Sequence, residues 1–222
     1  MIGGSLDLYD TVVSWYVSET GVPLLSVGYR LAPEAASTTT LAEDVFAGLT
    51  WLASHASGLG VDQARIAVMG DSGGGGLAAA AILARDRNVL LARQILIYPM
   101  LDDRTTTPGA MPAEFVTWTY DSNYTGWHAL LGEETGTETV SPIAAPGRLK
   151  DFTGLAPAYI EVGDLDIFRD EAIAYAGGLA SAGVPIELHV HPGAPHGFER
   201  FVPNAALARR AMADRTRAIN AI

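Results

Sequence analysis

The chain contains no cysteine. A disulfide framework, a thiolate nucleophile and a thiolate metal site are therefore excluded, and the redox compartment is left open. Basic residues are scarce, with 14 Lys and Arg against 25 Asp and Glu and a formal net charge of -11. Phosphate groups are bound by basic surfaces, so this balance argues against nucleic acid and anionic membrane as partners and favours a neutral or cationic small molecule. No segment reaches the roughly 18 uninterrupted apolar residues of a membrane span. The opening Met1-Ile2-Gly3-Gly4-Ser5 has neither the positive charge nor the apolar stretch of a signal peptide. A cytoplasmic location is the expectation from these absences. Nothing resembling an internal repeat or a low-complexity linker divides the 222 residues, which predicts a single domain over 1–222.

What is present reads as alternating strands and helices. Leu6, Tyr9, Val12, Val13, Tyr16 and Val17 recur at helical spacing between an N-cap at Ser5 and a stop at Gly21. Val22 to Tyr29 is a short apolar run that suits a buried strand, and Leu41 to His55 returns to helical spacing. Further strands are predicted over Arg65 to Met69, Gln94 to Tyr98, Ala158 to Val162 and Ile186 to His191. Helices are predicted over Leu77 to Arg85, Asp170 to Ala182 and Ala205 to Ile219, with helices and loops mixed through Thr105 to Pro157. This alternation implies an α/β fold, a mostly parallel sheet with helices on both faces. The last strand would offer a sheet edge through which two copies could form a homodimer.

Gly70-Asp71-Ser72-Gly73-Gly74 fits G-x-S-x-G at the junction of a predicted strand and a predicted helix. A serine on such a turn projects its oxygen above the sheet, and glycines let neighbouring backbone approach. The competing reading is a phosphate-binding loop or a plain tight turn. No Lys-Ser or Lys-Thr follows the glycines as a P-loop requires, and Gly74-Gly75-Gly76 lacks the spacing of a dinucleotide-binding loop. No cofactor is therefore expected.

A serine hydroxyl needs a histidine base, itself oriented by a carboxylate. Both lie downstream. His196 falls in a loop after the last strand, flanked by Pro195 and Gly197, whereas His189 and His191 lie within that strand and His55 and His128 on helical or irregular segments. Asp164 and Asp166 follow the preceding strand, and Asp102 and Asp103 offer another acid position. The order Ser, Asp, His is that of α/β-hydrolases. Zinc at His189 and His191, which share a strand face, lacks supporting ligands, and no metal is expected. Trp118, Tyr120, Trp127 and Phe198 are as well suited to a core as to a pocket, and no role is assigned to them.

With these residues in place the chain resembles the bacterial hormone-sensitive-lipase-like esterases of the α/β-hydrolase superfamily. Tyr29-Arg30-Leu31-Ala32-Pro33-Glu34 is similar to a block of that family, and Gly70 to Gly75 to its nucleophile turn. Gly163 to Glu171 is similar to its acid block, and His191 to Phe198 to its histidine block. The resemblance implies that the acid is Asp166, the first aspartate of Asp-x-x-Arg-Asp-Glu, with Ile167 standing where proline is usual. It implies a Ser72, Asp166, His196 triad, with Gly73 N–H contributing to an oxyanion hole, acting through an acyl-enzyme on uncharged short-to-medium acyl esters. Amide or lactone hydrolysis on the same fold is a further acyl-transfer reading.

The family also carries a His-Gly-Gly-Gly segment that helps form the oxyanion hole, preceded by a helical cap and three strands. Met1 resembles the residue just after that segment, which implies an N-terminally truncated chain or a misassigned start. Loss of the third strand would leave two facing edges unpaired and impair folding. This departure keeps a second reading in view: a catalytically impaired fragment, or a non-catalytic ligand-binding protein of the same fold.

Overall fold

The computed structural model describes residues 1–35, 37–106 and 116–222. Four strands form one sheet in chain order, β1 (Ala67–Asp71), β2 (Arg93–Ile97), β3 (Ala158–Gly163) and β4 (Ile186–His191), and every neighbouring pair is parallel. The helices are α1 (Leu6–Thr20), α2 (Thr40–Leu59), α3 (Ala79–Asp86), α4 (Tyr120–Leu131), α5 (Arg169–Ser181), α6 (Phe198–Phe201) and α7 (Ala206–Asn220). Of the mixed stretch predicted from Thr105 to Pro157, residues 107–115 lie outside the described residues; α4 and two 3-10 turns, Gly132–Glu134 and Pro146–Arg148, stand among loops in the rest.

Local chemistry sets the helix ends. The Ser5 hydroxyl accepts from Leu8 N–H at 3.2 Å, and Gly21 at φ +68° donates its N–H to Val17 carbonyl at 2.8 Å. Glycine carries no Cβ penalty in that left-handed conformation.

Because successive strand residues face opposite ways, β2 shows which helix covers which face. Arg93 donates to the Ala218 carbonyl in α7 at 3.0 Å, whereas the next residue, Gln94, accepts from Tyr175 of α5 at 3.4 Å. Helices α5 and α7 thus cover opposite faces, and the central strands β2 and β3 are largely buried between them, whereas β1 and β4 are partly exposed. The core runs through Ile95, Leu96, Ile160 and Val162 to Trp127, Phe168 and Leu179, all fully or almost fully buried.

The predicted strand at Val22 to Tyr29 is corrected by the structure. This segment has no regular secondary structure, and none of its residues is fully buried. Apolar content alone does not make a strand; a ladder of backbone hydrogen bonds does, and among the described residues no strand lies beside it. Side chains hold it instead: Val27 packs over Gly48 of α2, and Arg30 makes a two-pronged contact with Asp44.

Two charges are fully buried between the sheet and α7. Glu161 of β3 accepts from Arg215 at 2.8 and 2.5 Å, and Arg215 also donates to Glu199 at 3.0 Å. Burial pushes the Glu161 carboxyl up, but Arg215, His191 and Tyr159 outweigh it and bring it down to about 2. Removing one member of such a pair strands the other in low dielectric. Arg215→Met is therefore expected to cost roughly 3–5 kcal/mol, read as a lower urea midpoint with unchanged slope.

The pH dependence follows with its sign. A carboxyl whose folded value of about 2 lies below the ordinary 4.5 contributes full stability above about pH 4.5 and loses it as pH falls toward 2. Buried Glu171, raised mainly by desolvation, acts in the opposite sense, being best tolerated at low pH. Stability should fall between pH 4.5 and 2. Glu161→Gln should flatten that limb in a denaturation series; an unchanged acid limb would contradict the assignment.

Candidate active site

Ser72 stands directly after β1 with φ +51°, in a region that residues other than glycine rarely adopt. The turn around it is tied on both sides. Ser72 N–H donates to the Ile97 carbonyl at 2.9 Å, and the Ser72 carbonyl accepts from Gly76 and Met100 N–H, each at 3.0 Å. The tightness explains the glycines: a Cβ on Gly70 would overlap the Gly74 carbonyl, and one on Gly76 the Met100 carbonyl oxygen. A 3-10 turn over Gly75–Ala78 then leads into α3. The Gly73 N–H, at the entry to that turn, makes no hydrogen bond among the described residues.

Asp166 follows β3 and is buried. Its Oδ1 accepts from Phe168 N–H at 3.0 Å, which aims Oδ2 at His196 Nδ1, 2.7 Å away. A carboxylate only accepts, so Nδ1 carries the proton and Nε2 is left as an acceptor. The Ser72 Oγ lies 2.9 Å from Nε2. Serine hydroxyl, imidazole and carboxylate thus form one continuous hydrogen-bonded row, able to move a proton from the hydroxyl onto the ring.

The loop carrying His196 is stitched to the loop carrying Asp166. Asp164 Oδ1 accepts from Gly193 N–H at 2.6 Å, and Leu165 N–H donates to the Ala194 carbonyl at 3.0 Å. Aromatic rings flank the imidazole, Tyr98 and Phe168 meeting it edge-on with centroids at 4.6 and 5.2 Å. The approach of these loops also depends on Gly163 having no side chain, since a Cβ there would overlap the Ala194 carbonyl oxygen.

The comparisons bear on this geometry. Residues 1–200 match the family described as alpha/beta hydrolase fold. The chain belongs to the α/β-hydrolase fold family. It is 34% identical to an ethyl acetate hydrolase from Pseudomonas putida, covering 89% of this chain and 63% of that protein. It is 36% identical to the carboxylesterase NlhH of Mycobacterium tuberculosis, over 98% of this chain and 70% of the relative. Among solved structures a bacterial heroin esterase superposes with a TM-score of 0.90 at 39% identity, covering 99% of this chain and 70% of that one. These likenesses agree with the resemblance to the hormone-sensitive-lipase-like esterases. The chain spans 63% of the ethyl acetate hydrolase and 70% of the other two proteins.

In this α/β-hydrolase chain the other candidates lie elsewhere. Asp102 pairs with Arg104, and buried Asp103 pairs with Arg148 at 2.7 Å. His55 stacks on Trp51, and His128 on Tyr124. His189 meets Glu187 at 2.7 Å, and His191 lies 3.7 Å from Glu161. Among the described residues no group of three or more His, Asp or Glu could hold a metal ion, and no helix is long and apolar enough to cross a membrane. Trp127 and Phe198 are core residues, whereas Trp118 and Tyr120 are half-buried. Sequence reasoning missed Tyr98, Glu161, Glu199 and Arg215 beneath the site. A carboxylate inside the apolar strand Ala158-Tyr159-Ile160-Glu161-Val162 was the available signal, because a charge there demands a buried partner.

Gly163→Ala should push the 192–197 loop away from Asp166. The expected result is loss of the low-field proton resonance of the His196–Asp166 hydrogen bond together with a stability loss of about 1–3 kcal/mol. A retained resonance would contradict the proposed crowding.

Proposed function

We propose that the chain is a carboxylic-ester hydrolase in which Ser72 is the nucleophile, His196 the general base and then acid, and Asp166 the group that orients the imidazole. The single observation that carries this reading is the row Asp166–His196–Ser72, with spacings of 2.7 and 2.9 Å. His196 Nε2 takes the hydroxyl proton as Ser72 Oγ bonds to the ester carbonyl carbon, giving a tetrahedral oxyanion. Collapse breaks the bond to the alkoxy oxygen, which leaves with the proton from His196, and the acyl group remains on Ser72. Water then attacks by the same proton route and releases the carboxylic acid. Asp166 stabilises the imidazolium formed in each half. Gly73 N–H, which makes no hydrogen bond among the described residues, is the proposed oxyanion donor, and each such donor is worth about a hundredfold or more in turnover.

The substrate is an uncharged ester with a short-to-medium acyl chain. The acidic balance of the chain disfavours anionic substrates. The ethyl acetate hydrolase among its relatives points the same way.

Hydrolysis of p-nitrophenyl acetate tests the assignment. Ser72→Ala should lower kcat by at least about a thousandfold, and Asp166→Asn by a comparable factor because it favours the wrong imidazole tautomer. Equal rates at background for wild type and Ser72→Ala would leave an impaired fragment or ligand binding without turnover as the reading.

A further inference from the structure

Tyr98 directly follows β2 at φ +35°, an unfavoured conformation for an aromatic residue, and is only 2% exposed. Its backbone N–H donates to the Glu161 carbonyl at 2.6 Å. The ring packs edge-on against His196, with an interplanar angle of 64°. Its hydroxyl donates to Glu199 at 2.6 Å and lies 3.4 Å from Asp71 Oδ2. Burial first, then the negative charges of Asp71 and Glu199, push the phenol well above its ordinary value, so the group remains a donor.

Glu199 is three residues beyond His196 on the same segment, and Arg215 grips it from α7 at 3.0 Å while binding Glu161 on β3. Asp71, the residue before Ser72, is paired with Arg200 and Tyr9. Neither Tyr98 nor Glu199 is hydrogen-bonded to Ser72, His196 or Asp166 through its side chain. Packing alone would be met by phenylalanine. A buried hydroxyl costs free energy unless it is bonded, and this one ties the histidine segment to the strand end that also holds the Ser72 turn.

We propose that Tyr98 is a positioning residue for His196: its ring sets the imidazole's tilt, and its hydroxyl, held by Glu199, locks the histidine segment to the end of β2. The inference rests on the hydrolase reading above. Ser72 N–H is anchored on Ile97, the residue before Tyr98, so base and nucleophile share one support. A displacement of about 1 Å at such a support costs up to a hundredfold in rate.

The test is Tyr98→Phe in the full chain, assayed on p-nitrophenyl acetate in the wild-type and His196→Ala backgrounds, with Tm measured for each. With His196 present, kcat should fall about tenfold while KM changes by less than about twofold; in His196→Ala the same substitution should cost nothing further. Equal losses in both backgrounds, or unchanged kcat with His196 present, would overturn the proposal. Should Tyr98→Phe not fold, Glu199→Gln reads the same contact: a kcat loss seen only when His196 is present supports the proposal, and no loss overturns it. Wild-type turnover by Ser72→Ala would sink the hydrolase reading itself. An inactive Ser72→Ala beside a fully active Tyr98→Phe would sink only the positioning role.

Discussion

The backbone at Ser72 has to reverse from strand to helix within a few residues, and it does so with a side-chain-bearing residue at φ +51°. That conformation survives because its surroundings over-determine it. Ile97 holds the Ser72 N–H, Gly76 and Met100 hold its carbonyl, and neighbouring glycines admit backbone where any side chain would collide. Strain at one residue is thereby exchanged for a hydroxyl projected away from the sheet, within reach of a loop from the far end of the chain. The parallel order of the strands brings that loop there, since the segments after β1, β3 and β4 all emerge at the same sheet edge.

Beneath this surface arrangement lies a second layer of buried charge. Arg215, Glu161 and Glu199 are costly to desolvate individually and tolerable only as a set. A hydrophobic trio could give comparable stability, so stability alone does not account for these charges. The set also reaches the site, since Glu199 holds the Tyr98 phenol whose ring packs on His196. Stability and site geometry are then coupled through the same ion pairs, and a substitution in α7 can act on the loop chemistry without touching it.

Local rules made much of this legible in the sequence. The Ser5 cap and the Gly21 stop lie where side-chain chemistry places them, and Ile186 to His191 is a strand over the predicted residues. The order of Ser, Asp and His was readable because strand ends and Gly- or Pro-bounded loops are punctuated locally. Val22 to Tyr29 misled because a strand is defined by a neighbour, which a single segment's apolarity does not report. Helix α6 is four residues long, too short for any periodicity to show. The Tyr98–Glu199–Arg215 contacts join residues more than one hundred positions apart at their widest. Only the isolated charge in β3 hinted at them, and it named no partner.

The central claim is that Ser72 carries the acyl group during turnover. The most direct measurement is intact-mass and peptide analysis of the protein quenched during reaction with a slowly hydrolysed p-nitrophenyl ester. The account predicts a mass increase of one acyl group, confined to the peptide containing Ser72 and absent from Ser72→Ala. Turnover without any adduct, or an acyl group mapped to another residue, would contradict it.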